Sequence, residues 1–312
     1  MNRVKLAEGF RGQERALKLL HQILEKDEIA HAYLFLGPAG VGKSEAALAF
    51  ARALLETEKN RHPDLLILEA EGNTVRIGEI RRLKEWLTLK PYLAKRRVAL
   101  LLEAHLMSIE AANALLKVLE EPAGEVVLIL TADAETLPLT VVSRCQVVKF
   151  QPLPENEVEE ILLRHGVERE TALLLSRLSK GSPGRALRMA ETDLAAVLEM
   201  AAAFWEGISR GDDMVIYETA ETLEKDADQR EAFLALMEIY LRDVLLYVKG
   251  MVEQMQFLPR ELAEKTAGVD VQEAGRLLRA IGRTRQALSR RANPLLVQVH
   301  LYSEMADALK GG

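Results

Sequence analysis

Residues 37–44 read Gly37-Pro38-Ala39-Gly40-Val41-Gly42-Lys43-Ser44, and their types and spacing suit one chemistry, the holding of a phosphate chain. Gly37, Gly42, Lys43 and Ser44 satisfy the phosphate-loop pattern without exception. Glycines let backbone N–H groups close around phosphate oxygens. Lys43 is placed to neutralise the β- and γ-phosphates, and the Ser44 hydroxyl to hold Mg²⁺. A Gly-rich turn of no function is the competing reading, and the flanking residues decide against it. Ala32-Tyr33-Leu34-Phe35-Leu36 is a short apolar run suited to a buried strand, and Glu45 to Leu55 is an Ala/Leu-rich helical stretch without Gly or Pro. Strand, loop and helix in that order put the loop at a helix N-terminus, where partial positive charge favours an anion.

The partner of this loop is altered. Hydrolysis needs a carboxylate at the end of a neighbouring strand to steady the metal. The run Val98-Ala99-Leu100-Leu101-Leu102-Glu103 places Leu102 where that Asp is expected. Glu103 can polarise an attacking water, or serve the metal if the strand slips by one residue, or be a purely structural acid. Thr131, ending an apolar run at 126–131, can face a γ-phosphate or make only local bonds. Arg144, in Ser143-Arg144-Cys145, can project into a neighbouring subunit's nucleotide site and stabilise charge on the γ-phosphate, or form a surface ion pair. Arg185 follows Gly181-Ser182-Pro183-Gly184 near a helix start, where it reaches phosphate or solvent. Cys145 reads as a small buried residue rather than a nucleophile. The basic clusters Arg81-Arg82-Lys84 and Lys95-Arg96-Arg97 suit either a phosphate backbone or a solvated face.

The elements that must position these groups follow from hydrophobic periodicity. Strands are predicted at 32–36, 65–69, 97–102, 126–131 and 146–150, with helices at 12–26, 43–56, 76–89 and 109–121. Ser108 caps the last helix and Pro122 stops it. Alternation of strand and helix implies a parallel sheet covered by helices on both faces. After Phe150 the pattern changes. Gln151-Pro152-Leu153-Pro154 reads as a linker and strand signals vanish. Short helices are predicted over 155–199, broken at Gly166 and at 181–184. Longer ones follow over 200–310, broken near Gly211, 249–259, 267–270 and Asn293-Pro294. The expected domains are 1–152, a nucleotide-binding α/β domain; 153–199, a small helical lid; and 200–312, an all-α C-terminal domain.

Composition bounds the rest. With 312 residues, two or three domains are expected. Hydrophobic residues are 49% and aromatics only 5%, so the cores rest on Leu, Ala, Val and Ile. A net charge of −6 argues against a surface built over its whole extent for DNA. The single cysteine, Cys145, permits no internal disulfide and no cysteine zinc site. No apolar run approaches membrane-spanning length and no signal region is recognisable at the N-terminus, so the expected location is cytoplasmic.

Together these residues resemble the bacterial clamp-loader family within the AAA+ ATPases. Phe10-Arg11-Gly12-Gln13 is similar to the family's N-terminal Gly-Gln box near the adenine pocket. His31 to Phe35, His62-Pro63-Asp64-Leu65, Leu89-Lys90-Pro91-Tyr92, the long block Ala111 to Pro122, Leu137-Pro138 and Ser143-Arg144-Cys145 match in order, over about half the chain. The resemblance implies an AAA+ domain, a helical lid and a helical collar that pairs subunits. It implies ATP or ADP with Mg²⁺ at Gly37–Ser44, and Arg144 acting in trans. Implied partners are motor (gamma/tau) and delta subunits in a hetero-pentamer, with a sliding clamp and primer-template DNA reached through the complex. Departures from the motor pattern at Leu102, at Gly184 (where the motor's lid arginine aligns, with Arg185 displaced by one) and in length favour a non-motor subunit. A motor ATPase is the alternative, and a small-molecule P-loop kinase a more remote one. Relatives carry a four-cysteine zinc insert where this chain has only Glu56 to Arg61, so no zinc is expected.

Overall fold

The computed structural model describes residues 12–69, 74–122, 124–133, 137–255, 257 and 269–310. Phe10 and Arg11 of the N-terminal box, and residues 267 and 268 of the last-but-one expected break, lie outside them. The chain forms two compact units, one of residues up to 176 together with 180–185, the other of residues 177–179 and 186 onward.

The first unit is built on a five-stranded parallel sheet. Strands β1 (Ala32–Leu36), β2 (Leu65–Leu68), β3 (Arg97–Leu101), β4 (Val126–Ala132) and β5 (Gln146–Lys149) stand in the order β2-β3-β4-β1-β5. Each agrees with its predicted span to within one residue. The near-continuous apolar runs of β1, β3 and β4 are what a sheet covered on both faces requires. Alternate residues serve the two faces. Tyr33, Phe35, Val98, Leu100, Val127 and Ile129 pack with helices α1 (Glu14–Lys26) and α2 (Lys43–Leu54). Ala32, Leu34, Ala99, Leu101, Leu128 and Leu130 pack with α3 (Ile77–Leu87) and α4 (Ile109–Glu120). Tyr33 and Phe50 meet edge to face with ring centroids 5.1 Å apart, joining β1 to α2. The Ser108 hydroxyl accepts the Ala111 N–H at 3.2 Å, capping α4 as predicted. A short helix α5 (Leu139–Val142) leads into β5.

After the sheet come α6 (Glu155–Arg164), α7 (Arg169–Leu178) and α8 (Pro183–Ala190), separated at Gly166 as the sequence predicts and at 179–182, so that Pro183 and Gly184 of the expected break at 181–184 already belong to α8. The second unit holds α9 (Leu194–Ser209), α10 (Met214–Thr222), α11 (Ala227–Val248), α12 (Val271–Ser289) and α13 (Pro294–Lys310). The break before α11 is not among those predicted. Its signal is Asp226, whose carboxylate accepts the N–H groups of Asp228 and Gln229. Phe204, Phe233 and Tyr302 form an aromatic cluster between α9, α11 and α13. Arg285 of α12 bridges Glu231 and Glu238 of α11 at 3.0 and 2.8 Å. Among the described residues no helix is long and apolar enough to cross a membrane.

One buried carboxylate organises the approach to β3. Asp64 is fully buried and accepts N–H bonds from Tyr92, Leu93 and Ala94 at 2.7, 2.7 and 2.9 Å. The Arg97 guanidinium lies 3.8 Å away and stacks 4.4 Å from the Trp86 ring centroid. Arg97 is thus turned inward and not part of a basic surface. Burial by itself would raise the Asp64 carboxyl. The three N–H donors and Arg97 outweigh it and hold the group below the ordinary carboxylate range. Because the folded value is depressed, this stabilisation is complete above about pH 4 and is lost as pH falls through the folded value. Asp64→Ala is expected to cost about 3 kcal/mol by orphaning buried donors, read in urea denaturation followed by Trp86 fluorescence. The stability gap between wild type and Asp64→Asn should narrow below about pH 4. A gap independent of pH would remove the ionised clamp.

Candidate functional site

The phosphate loop leaves the C-terminal end of β1 and enters α2. Gly42 caps α2 with φ 97°, a left-handed conformation that glycine alone adopts without strain, so the first-turn N–H groups of α2 open onto the loop. Lys43 is buried, and its ammonium donates to the Gly37 and Pro38 carbonyls, each at 2.6 Å, and to Asp133 Oδ1 at 2.9 Å. Those three oxygens satisfy the three donors of the ammonium group. Ser44 sits partly buried in the first turn of α2.

Asp133 is a site residue that sequence reasoning missed. It directly follows β4, the strand paired with β1, so it emerges at the same end of the sheet as the loop. Its Oδ2 lies 3.8 Å from His105 Nε2, and its N–H donates to His105 Nδ1 at 3.4 Å. An acid two positions after Thr131 was the available signal. An incoming phosphate oxygen would compete with this carboxylate for Lys43.

The residues after β3 lie one strand further away. Leu102 donates its N–H to Leu68 O, and its side chain packs on the face that carries α2. A metal-holding carboxylate would need that face, and Leu102 offers it no oxygen. Glu103 is exposed with φ 51°. Its N–H donates to Thr131 Oγ1 at 2.9 Å. Thr131 is buried on β4 opposite Phe35 of β1, between the phosphate loop and Glu103. Its hydroxyl therefore ties the end of β3 to β4.

Arg144 stands elsewhere. β1 and β5 are parallel, with Tyr33 opposite Gln146 and Leu36 opposite Lys149. Arg144 precedes β5, so it lies at the N-terminal edge of the sheet, while the phosphate loop leaves the C-terminal edge. The length of β5, about 13 Å of strand, separates them. The Arg144 guanidinium pairs with Glu120 at the end of α4 at 2.6 Å and donates to Thr140 O at 2.9 Å, with 36% of the side chain exposed. Burial pushes the neighbouring Cys145 thiol up to about 11, which makes it a poor nucleophile at neutral pH. Arg185 begins α8, its N–H donating to Ser182 Oγ. In the basic clusters, Arg81, Arg82 and Lys84 are exposed on α3, whereas Arg96 pairs with Asp27 and Lys95 with Glu56. Among the described residues no group of three or more His, Cys, Asp or Glu is arranged to hold a metal ion.

A parallel sheet in the order β2-β3-β4-β1-β5, with a phosphate loop leaving β1 and a helical region following, defines an AAA+ domain of the P-loop class. The sequence profile of the family described as "DNA polymerase III, delta subunit" matches residues 12–154. The delta-prime subunit of Bacillus subtilis DNA polymerase III is 33% identical over 184 residues, 54% of this chain and 56% of that one. The tau subunit of the same organism is 34% identical over 165 residues, 47% of this chain and 29% of that one. Over the matched residues the chain is thus similar to clamp-loader subunits of DNA polymerase III, and it spans little more than half of the delta-prime relative's length. In fold it is similar to a gamma-subunit-related protein of Thermotoga maritima, with a TM-score of 0.51 at 18% identity, covering 93% of this chain and 99% of that one.

The Lys43–Asp133 contact leads to a measurable expectation. Asp133→Asn should tighten binding of ADP a few-fold, because phosphate no longer displaces a charged oxygen from Lys43. Titration of wild type and variant at one ionic strength checks it. Equal or weaker binding by the variant would show that the carboxylate does not compete.

Proposed function

We propose that this chain is the delta-prime subunit of a DNA polymerase III clamp loader, a non-motor member that holds adenine nucleotide and donates Arg144 to a neighbouring subunit's ATP site. The observation that carries this reading is the placement of Arg144. An arginine at the sheet edge opposite its own phosphate loop has no access to its own γ-phosphate, but it is partly exposed, paired with Glu120 at the surface, where a second subunit can reach it. Leu102 supports the non-motor half of the reading. With an apolar side chain where the metal carboxylate belongs, ATP or ADP is held by Gly37, Pro38, Ala39, Gly40, Val41, Gly42 and Lys43 and turned over little. A Mg²⁺ ion carried by the nucleotide finds one protein oxygen, Ser44, and would neutralise phosphate charge there. Thr131 and Arg185 flank the phosphate site, and Glu103 remains as a residual acid without a placed metal. The four-cysteine insert of relatives is absent, so no zinc is assigned.

In the assembled loader the chain occupies one position of a hetero-pentamer with gamma/tau and delta subunits, in the cytoplasm. Residues 1–152 form the AAA+ domain, 153–199 the lid and 200–312 the collar through which subunits pair. The complex spends ATP to open a ring-shaped sliding clamp and place it on primer-template DNA, and this chain supplies scaffold and arginine finger.

The intact phosphate loop favours a second reading, a gamma/tau-type motor subunit in which Glu103 serves the metal. Hydrolysis by the purified chain separates the two. It should be negligible in the wild type, and Leu102→Asp should raise it. Robust wild-type turnover abolished by Lys43→Ala would establish the motor reading instead. In a reconstituted loader, Arg144→Ala should lower turnover at the one interface it completes by about 10³-fold, so that DNA-stimulated ATPase falls by that site's share while the complex still assembles on gel filtration. Undiminished ATPase would remove the trans role.

A further inference from the structure

The Gly-Ser-Pro-Gly segment at 181–184 is built against the phosphate loop. Ser182 is buried, 4% exposed. Its hydroxyl donates to the Ala39 carbonyl at 3.0 Å and accepts the Arg185 N–H at 3.2 Å. The Gly184 N–H donates to the Gly40 carbonyl at 2.9 Å. No side chain fits between the two segments. A Cβ on Gly40, whose φ is 73°, would lie 2.4 Å from Ser182 Oγ, and one on Gly184 would lie 3.1 Å from Gly40 Cα and O. The segment is itself anchored to the end of the sheet, since Leu153 donates its N–H to Gly181 O at 2.8 Å.

We propose that Ser182 and Gly184 are positioning residues for phosphate binding, which pin the Ala39 and Gly40 carbonyls outward so that the Gly40 and Val41 N–H groups face the phosphate. The inference rests on the nucleotide-binding reading above and concerns how that site is shaped. In a trans peptide the carbonyl and the N–H of one unit point in opposite directions. The Ala39 carbonyl shares its peptide with the Gly40 N–H, and the Gly40 carbonyl with the Val41 N–H. Holding both carbonyls on one side therefore presents both donors on the other. Glycine would otherwise let these peptides rotate freely. A hydrogen bond to each carbonyl also polarises its peptide and strengthens the N–H as a donor. The effect is confined to the loop and needs no contact between Ser182 and the ligand.

The test uses the full chain with Mg²⁺, titrated with fluorescent ADP and separately with adenosine, which carries no phosphate. Lys43→Ala tests the nucleotide-binding reading, and Ser182→Ala and Gly184→Ala test the inference. Ser182→Ala should weaken ADP about fivefold, the effect of one hydrogen bond, and leave adenosine unchanged. Gly184→Ala should act in the same direction by pushing the segment off Gly40. Hydrogen exchange of the peptide spanning 37–44 should speed up in both variants without nucleotide. If wild type does not bind ADP, or binds it equally well as Lys43→Ala, the nucleotide-binding reading fails and this inference with it. If Lys43→Ala abolishes ADP binding while both other variants keep wild-type affinity, the inference alone is overturned. An equal loss of ADP and adenosine overturns it too, because that marks a general loss of structure. Should Ser182→Ala fail to fold, Gly184→Ala carries the same comparison.

Discussion

β1 is hydrogen-bonded along both edges, to β4 on one side and β5 on the other, all three strands running the same way. Most of what the site contains depends on that arrangement. Parallel strands deliver their following residues to one end of the sheet. The phosphate loop after β1, Asp133 after β4 and Leu102 and Glu103 after β3 therefore gather at a single edge. Residues that enter strands gather at the other, and Arg144 is one of these. The full burial of Ala32 to Phe35 between two helical layers keeps β1 in place and with it the register of everything attached.

The same topology separates two properties that are joined in a working ATPase. In such an enzyme the loop after the first strand holds phosphate, and the end of a strand two places away manages metal and water. An apolar residue at 102 can therefore alter the second without disturbing the first. Thr131 sits at the junction, its hydroxyl spent on the Glu103 N–H. Lys43, meanwhile, keeps its ammonium fully coordinated by two loop carbonyls and Asp133. Burial of an ammonium is tolerable only on those terms. The loop is thus held by Lys43 at Gly37 and Pro38 and by Ser182 and Gly184 at Ala39 and Gly40. Glycine at 184, which in sequence reads as an arginine lost from the lid, has a steric reason here: a Cβ there would lie 3.1 Å from Gly40 Cα and O.

Much of the fold could be read from the chain. The strands are near-continuous apolar runs, and their ends fall within a residue of expectation because turn and cap residues bound them. Ser108 and Pro122 delimit α4 through interactions within a few residues. The helix break before Asp226 is equally local, but it carries no Gly or Pro to mark it. Other features were not readable at all. The matching segments 62–65 and 89–92 stood out as motifs without a reason. The structure supplies one, since Asp64 receives the N–H groups of residues 28, 29 and 30 positions away. The Lys95-Arg96-Arg97 cluster looked like a basic surface until Arg97 proved to be the inward partner of Asp64 and Trp86.

The sequence by itself determined the phosphate loop, the helix that receives it, the sheet-and-helix class and the absence of a carboxylate at 102. These depend on residue types and on interactions between near neighbours in the chain, and such information survives in one dimension. Only the tertiary structure decided that Asp133 grips Lys43 across 90 residues, that Ser182 reaches Ala39 across 143, and that Arg144 stands at the far edge from its own loop. Those depend on strand order. Placing β1 between β4 and β5 is a choice among topologies made by the packing of two helical layers on one sheet, and the order of residues along the chain does not contain it.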